Sequence, residues 1–278
     1  MRIRPAEREA RAGGLRRRIH LLPHLFTMGN LFAGYFAVNA VLAGDLDRAA
    51  VAIVIGWVLD TLDGAVARLV RTPSRIGVQL DSLADIVTFG IAPAVLAIAW
   101  GASHIEGPER WAAHLYRLAW IASFAYAAAG ALRLARFNVM SSDVEEAPVV
   151  PRAFFVGMPI PAGAGCVAVV VHLLKEPLVE WSHGVVWLVY LFTIAGLMAS
   201  RIPFPRFRWL LSNPRHPQIL MLVLALLLAA VYYYSEIVFF GLLVAYLTSV
   251  VVINLRRRPA AGADAPAEGL NGPPADGV

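Results

Sequence analysis

Four aspartates stand close together in an otherwise apolar stretch of the sequence: Asp60, Asp63, Asp81 and Asp85. The first two are three residues apart, and the last two are four residues apart. On an α-helix, which turns by about 100° per residue, each pair lies on one face. The polar residues 71–75 between the pairs include a proline, which is typical of a break between helices. The spacing therefore predicts a helical hairpin in which each arm directs two carboxylates toward the other arm.

Carboxylates gathered in an apolar environment need a compensating positive charge. The residues nearby indicate which cation could provide it. Ligand sets made only of oxygen suit Mg²⁺ or Mn²⁺, and two doubly charged ions balance four carboxylates. No histidine lies between His24 and His104, and the single cysteine, Cys166, excludes a zinc site built from several cysteines. The aspartates therefore predict a site for two divalent cations, Mg²⁺ or Mn²⁺. A proton relay, or a polar network that only packs the helices, is the alternative.

The elements that carry these aspartates are predicted to cross a membrane. The chain is 59% hydrophobic and only 15% charged, which is outside the range of soluble domains. Apolar runs of about 20 residues recur, and they predict an all-α, polytopic helical bundle with about eight transmembrane helices. Each aspartate inside a span costs about 2.5–3.5 kcal/mol, so four of them require compensation. The predicted spans are residues 25–43, 49–70, 78–100, 112–135, 157–174, 184–200, 217–234 and 236–254.

Basic residues set the predicted orientation of the bundle. With eight spans and a cytoplasmic N-terminus, twenty of the 24 basic residues fall on the cytoplasmic side, as the positive-inside rule requires. The loop between the aspartate helices then lies at the cytoplasmic face of the cell membrane. The N-terminal segment lacks aromatic residues for stacking on bases, so lipid rather than nucleic acid is its predicted partner. The predicted domains are a basic cytoplasmic segment at 1–22, a transmembrane domain at 23–255 and a disordered cytoplasmic tail at 256–278.

The aspartate stretch resembles the signature of the CDP-alcohol phosphatidyltransferases, D-x2-D-G-x2-A-R-x8-G-x3-D-x3-D. All eight fixed positions are matched, by Asp60, Asp63, Gly64, Ala67, Arg68, Gly77, Asp81 and Asp85. The resemblance implies that the four aspartates hold two metal ions and that Asp85 is also the catalytic base for the acceptor alcohol. It further implies contacts to the cytidine diphosphate part of CDP-diacylglycerol from Gly64, Ala67, Arg68 and Gly77.

The glycines and arginines of this stretch could each contact the substrate or serve the structure of the bundle. Gly64 and Gly77 remove side chains from the carboxylate faces, so either a nucleotide or another helix can approach closely. Arg68 and Arg75 can offer paired donors to a diphosphate, or they can anchor the helices at the membrane interface.

A polar segment at the entry of the first span resembles the family's P-N-x-x-T-x-x-N pattern. Thr27 and Asn30 match it, whereas His24 stands where asparagine is usual. Thr27 and Asn30 are three residues apart and share one helix face, which suits a polar wall beside the nucleotide. Ordinary hydrogen bonding between helices is the alternative.

Two later segments, residues 131–139 and 155–162, resemble the phosphatidylserine synthase branch of the family, which has eight spans. This resemblance implies L-serine as the acceptor. Arg133 and Arg136 lie where the fourth predicted span meets the cytoplasm, and a cation there can bind the carboxylate of an amino acid. Anchoring at the interface is again the alternative.

The resulting hypothesis is a membrane transferase that moves a phosphatidyl group from CDP-diacylglycerol to L-serine and releases CMP. Its predicted partners are these two substrates and membrane lipids, and the family is commonly homodimeric. One alternative is the same chemistry with glycerol 3-phosphate or inositol phosphate, whose phosphate dianion would favour a more basic pocket. Another is a divalent-cation or proton transporter with four intramembrane aspartates. A transporter, however, does not require Gly64, Arg68 and Gly77 at a fixed spacing.

Overall fold

The computed structural model describes residues 21–70, 75–106, 108–142, 154–205 and 234–252, and helices dominate them. Two three-residue strands form an antiparallel ladder that pairs Phe155 with Phe204. The elements in chain order are α1 (Leu21–Leu42), α2 (Leu46–Val70), α3 (Arg75–Asp85), a π-helical turn (Ile86–Ile91), α4 (Ala92–Gly101), α5 (Glu109–Ser142), β1 (Phe154–Val156), α6 (Ile160–Leu174), α7 (Trp181–Ala199), β2 (Pro203–Pro205) and α8 (Tyr234–Val252).

Helix length and composition fit a membrane protein. Among the described residues, five helical stretches are long and apolar enough to cross a bilayer. α2 has 25 residues, also enough to cross, but its aspartates interrupt the apolar run. The predicted class, an all-α helical membrane protein, is confirmed. The five stretches are His24–Leu42, Ile76–Gly101, Arg110–Val139, Trp181–Ala199 and Tyr234–Val252.

The count of eight spans stays a prediction. Residues 206–233, which include most of the span predicted at 217–234, lie outside the described residues. So do residues 1–20 of the predicted N-terminal segment and the whole predicted tail at 256–278. α2 ends at Val70 and α3 begins at Arg75, so the predicted helix break falls between two described helices.

Small residues allow the helices of the core to approach closely. α1 and α2 form a hairpin in which Ala37, Ala49 and Ala50 are fully buried. Gly44, with φ of 80°, ends α1 and allows the chain to turn. α4 and α7 meet through Trp187, whose Nε1 donates a 3.0 Å hydrogen bond to the carbonyl of Ala97.

The entry into α6 is a glycine corner. Gly157 has φ of 76°, and its N–H donates to the carbonyl of Ile202 at 2.9 Å. A Cβ at this position would lie 2.6 Å from the carbonyl oxygen of Met198 and 2.8 Å from that of Ser200. α6 therefore begins at Ile160, three residues after the predicted start at 157, because Gly157 and the residues after it form the turn into the helix.

Candidate functional site

Three of the four predicted aspartates converge at one place between α2 and α3. Asp60, Asp81 and Asp85 each offer a carboxylate oxygen, and these oxygens all lie within 4.8 Å of one another. Asp85 is 9% exposed, while Asp60 and Asp81 are half-buried. Mg²⁺ binds its oxygen ligands at about 2.0–2.1 Å, so ligands on opposite sides of one ion stand about 4 Å apart. The group therefore has the size and the donor chemistry of a divalent-cation site.

Asp63 is held apart from this group by a hydrogen bond of its own. Its carboxylate accepts a hydrogen bond from the Thr27 hydroxyl of α1, and both side chains are buried. The two predicted carboxylate pairs therefore meet only in part, because three of the four carboxylates converge at one position. The fourth member is tied to the neighbouring helix.

Asn30 supports the other end of the carboxylate group. Its side chain is fully buried, and its Nδ2 donates a 3.2 Å hydrogen bond to Oδ1 of Asp85. Thr27 and Asn30 were predicted to share a face of the first helix, and in the structure that face meets α2 through Asp63 and α3 through Asp85. Both residues contact carboxylates on other helices directly, which is the interhelical hydrogen bonding named as the alternative. Their contact with the nucleotide stays a prediction.

The two arginines of α5 lie in different surroundings. Arg133 is buried, and its charge acts on the carboxylate of Asp85. Arg136 is exposed, and its Nη1 donates to the carbonyl of Ala199 at the end of α7. Beyond them, Asn138 Nδ2 donates a 2.9 Å hydrogen bond to the Ser82 hydroxyl on α3. Arg133 is therefore the arginine of this pair that the structure brings to the aspartates.

The remaining predicted residues continue the same helix faces. Gly64 on α2 and Gly77 on α3 are both half-buried. Ala67 and Arg68 belong to the helical backbone of α2, and their side chains lie outside the described part of the structure. Ala67 follows Asp60 by seven residues, so a helix places it two turns further along the same face.

Two buried side chains at the helical turn that follows Asp85 were not predicted from the sequence. Thr88 donates to the backbone carbonyl of Asn30 at 2.8 Å, and Tyr126 donates to the carbonyl of Phe89 at 2.9 Å. The available signal was Pro93, a proline inside an apolar predicted span, which indicates a local departure from regular α-helix.

A second polar cluster lies at the opposite end of α2. Nδ1 of the buried His172 is 2.5 Å from Oδ1 of Asp47, and its Nε2 is 2.8 Å from the hydroxyl of Ser235. Beside it Lys175 pairs with Glu236, and hydrogen bonding to that carboxylate raises the pKa of Lys175. This cluster ties α2, α6 and α8 together.

Comparisons with known proteins identify the family to which the chain is similar. The family described as CDP-alcohol phosphatidyltransferase matches residues 20–195. The CDP-diacylglycerol–serine O-phosphatidyltransferase of Mycobacterium leprae (strain TN) is 32% identical over 209 residues, which cover 75% of this chain and 66% of the relative. The enzyme of that name from Bacillus subtilis (strain 168) is 32% identical over 193 residues, 68% of this chain and 93% of the relative.

A eukaryotic relative matches at a similar level. The CDP-diacylglycerol–serine O-phosphatidyltransferase of Saccharomyces cerevisiae (strain ATCC 204508 / S288c) is 30% identical over 213 residues, 74% of this chain and 66% of the relative. The chain thus spans about two thirds of the length of the mycobacterial and yeast relatives, and nearly all of the Bacillus relative.

Proposed function

This chain belongs to the CDP-alcohol phosphatidyltransferase family, and we propose that it moves the phosphatidyl group of CDP-diacylglycerol to L-serine. The observation that carries the proposal is the convergence of the Asp60, Asp81 and Asp85 carboxylates within a helical membrane protein. The names of the relatives supply the acceptor, L-serine. In the reaction, the bond from phosphorus to the serine oxygen forms and the bond from phosphorus to the CMP oxygen breaks.

The carboxylate group fits divalent cations, and Mg²⁺ or Mn²⁺ is the proposed cofactor. Its donors are all carboxylate oxygens, which are the ligands that these hard cations prefer. Asp60, Asp81 and Asp85 would hold the ions, and Asp63 would join them by releasing Thr27. When bound, such ions offset the negative charge of a diphosphate and of its transition state.

Asp85 is the proposed base for the serine hydroxyl. It is the most buried member of the converging group, and Asn30 fixes one of its carboxylate oxygens. A base that must meet a substrate proton within hydrogen-bonding distance benefits from such fixation. The proton from serine would pass to the carboxylate of Asp85 as the hydroxyl oxygen attacks phosphorus.

The faces of α2 and α3 around the aspartates are the proposed nucleotide platform. Gly64 and Gly77 leave room for close approach, and Ala67 continues the face on α2. Arg68, one position further, would offer its guanidinium to the diphosphate. The acyl chains of CDP-diacylglycerol would stay among the helices, since the donor is a membrane lipid.

Arg133 is the proposed partner of the serine carboxylate. It is buried on the side of the carboxylate group, whereas Arg136 is bonded to the end of α7. A single buried guanidinium suits one carboxylate. Glycerol 3-phosphate and inositol phosphate carry a phosphate dianion, which Arg133 alone would compensate less well.

The proposed topology has eight spans, with the N-terminal segment, the aspartate site and the tail on the cytoplasmic side of the cell membrane. The positive-inside bias supports this orientation. The aspartate site, Arg136 and the β1–β2 ladder belong to one end of the bundle, and the His172 cluster belongs to the other. Homodimer formation, common in the family, is part of the same proposal.

The direct test is release of CMP from CDP-diacylglycerol by the purified protein, with Mg²⁺ or Mn²⁺ and one acceptor at a time. The proposal expects release with L-serine, and it expects Asp60→Asn to abolish it. Asp45→Asn is the matched control, because Asp45 pairs with Arg48 away from the site. Release with glycerol 3-phosphate or inositol phosphate but not with serine would refute the acceptor. Ion flux across liposomes without CMP release would favour a transporter.

A further inference from the structure

The helical turn that follows Asp85 is wider than an α-helical turn. Residues Ile86–Ile91 form a π-helix, and the N–H of Ala92 donates to the carbonyl of Val87, five residues earlier. Such a turn adds one residue to the helix, which rotates the following helix by about 100° relative to a continuous α-helix. α3 can therefore direct Asp81 and Asp85 at α2, while α4 turns Leu96 and Trp100 into the core.

On the side of the turn that faces α5, the hydroxyl of Tyr126 replaces the hydrogen bond that Pro93 cannot make. Proline lacks an N–H, so the carbonyl of Phe89, four residues earlier, has no α-helical donor. The hydroxyl of Tyr126 on α5 donates to that carbonyl at 2.9 Å. Phe89 and Tyr126 are both fully buried, so removal of this hydroxyl would take away the side-chain donor that stands in for the missing proline N–H.

Thr88 fixes the other side of the turn against α1. Its hydroxyl donates to the backbone carbonyl of Asn30, the residue whose side chain holds Asp85. The backbone of α1 is very close at this point, because a Cβ at Gly34 would lie 2.7 Å from the Cα of Thr88. The turn that follows the proposed base is thus hydrogen-bonded to α1 on one side and to α5 on the other.

We propose that the hydroxyls of Thr88 and Tyr126 position Asp85 by holding the π-helical turn that follows it. Neither hydroxyl contacts the carboxylate, so each acts through the backbone. Thr88 also links the turn to Asn30, which bonds Asp85 directly. The inference rests on the proposed transferase function, since it assigns these residues a part in orienting its base.

The test compares Tyr126→Phe with Tyr190→Phe. Tyr190 is a matched control, because its hydroxyl also donates to a backbone carbonyl, that of Cys166 at 3.0 Å, in another part of the bundle. Tyr126→Phe is expected to lower kcat for serine-dependent CMP release about tenfold or more, because small misplacements of a reacting group are costly. The KM for CDP-diacylglycerol and the affinity for CDP at saturating Mn²⁺ are expected to stay near wild type, and the melting temperature is expected to fall no further than it does in Tyr190→Phe. Tyr190→Phe is expected to retain kcat.

Thr88 gives a second, independent pair of variants. Thr88→Val keeps the shape but removes the donor, and it is expected to lower kcat as Tyr126→Phe does. Thr88→Ser keeps the hydroxyl and is expected to restore most of the activity. If Tyr190→Phe, with a similar fall in melting temperature, lowers kcat as much as Tyr126→Phe does, or if both Thr88 variants behave alike, the two hydroxyls serve folding alone and the proposal is wrong.

Failure of the inference and failure of the proposed function give different results. Wild-type protein that releases CMP with serine, combined with undiminished kcat in Tyr126→Phe and Thr88→Val, would refute the inference only. If wild type releases no CMP with serine, the proposed function fails, and Mn²⁺ affinity then decides the inference. Removal of either hydroxyl should weaken Mn²⁺ binding about tenfold, as changes in the groups that orient metal ligands do. Unchanged Mn²⁺ affinity in both variants would refute the inference about Thr88 and Tyr126.

Discussion

The two ends of α2 hold aspartates in opposite ways. Near its first turn, Asp47 is hydrogen-bonded to His172, and the other ring nitrogen of that histidine contacts Ser235. About 20 Å further along the helix, Asp60 instead faces Asp81 and Asp85. Among the residues whose side chains the structure describes, no basic group forms an ion pair with Asp60 or Asp81.

The difference separates an aspartate that the fold pairs with a histidine from a group of aspartates that we propose to be completed by bound cations. The bundle can supply a partner for a carboxylate, as His172 shows for Asp47. At the other end it gathers carboxylates against their mutual repulsion, which costs free energy unless cations are bound. We therefore interpret the His172 cluster as structural and the aspartate group as functional.

Asp85→Asn is expected to remove most of the activity, as Asp60→Asn is. An amide of the same shape cannot accept the serine proton, and loss of a general base typically costs 10²–10⁴-fold in rate. The kcat of serine-dependent CMP release measures the loss, and CDP binding should persist because the fold around Asn30 is retained. A variant that turns over at the wild-type rate would remove the base assignment.

Gly34→Ala is expected to lower both activity and stability. Its Cβ would lie 2.7 Å from Cα and 2.9 Å from N of Thr88, and backbone atoms cannot rotate away. Overpacking of this kind typically costs about 1–3 kcal/mol of unfolding free energy. Gly196→Ala is the matched control, since no atom lies within 4 Å of its Cβ. Equal melting temperatures and equal kcat for the two variants would contradict the close contact between α1 and the turn.

His172→Ala is expected to affect stability but leave activity nearly unchanged. It removes a buried ring and the hydrogen bonds of that ring to Asp47 and Ser235, each of which typically contributes about 0.5–1.5 kcal/mol. Thermal unfolding in detergent should therefore shift downward while the kcat for CMP release stays within about twofold of wild type. A loss of kcat at an unchanged melting temperature would refute the division between the two ends.

The carboxylate hairpin could be predicted from the sequence because its signal is local. Spacings of three and four residues fix a helix face without knowledge of the partner, so Asp60, Asp81 and Asp85 were predicted to meet. Thr27 and Asn30 were found in the same way. That Thr27 would bond Asp63, 36 residues away, was not predictable, because spacing gives the face of a helix but not the neighbour it meets.

Contacts between distant residues account for what the sequence did not reveal. His172 lies 125 residues from Asp47, and in the sequence it is a single histidine in an apolar run. Tyr126 and Phe89 are 37 residues apart, and an apolar run does not distinguish a π-helical turn from an α-helix. Gly157 stood in a segment already noted for its resemblance, but its positive φ and its contact with the end of α7 emerged only from the structure.

The most direct test of the contrast between the two ends is Mn²⁺ binding to the purified chain, followed by electron paramagnetic resonance of free Mn²⁺. We expect wild type and Asp47→Asn to bind Mn²⁺ with similar affinity, and we expect Asp60→Asn and Asp81→Asn to lose most of that affinity. Binding that survives both Asp60→Asn and Asp81→Asn, or that disappears in Asp47→Asn, would contradict the assignment of the aspartate group as the cation site.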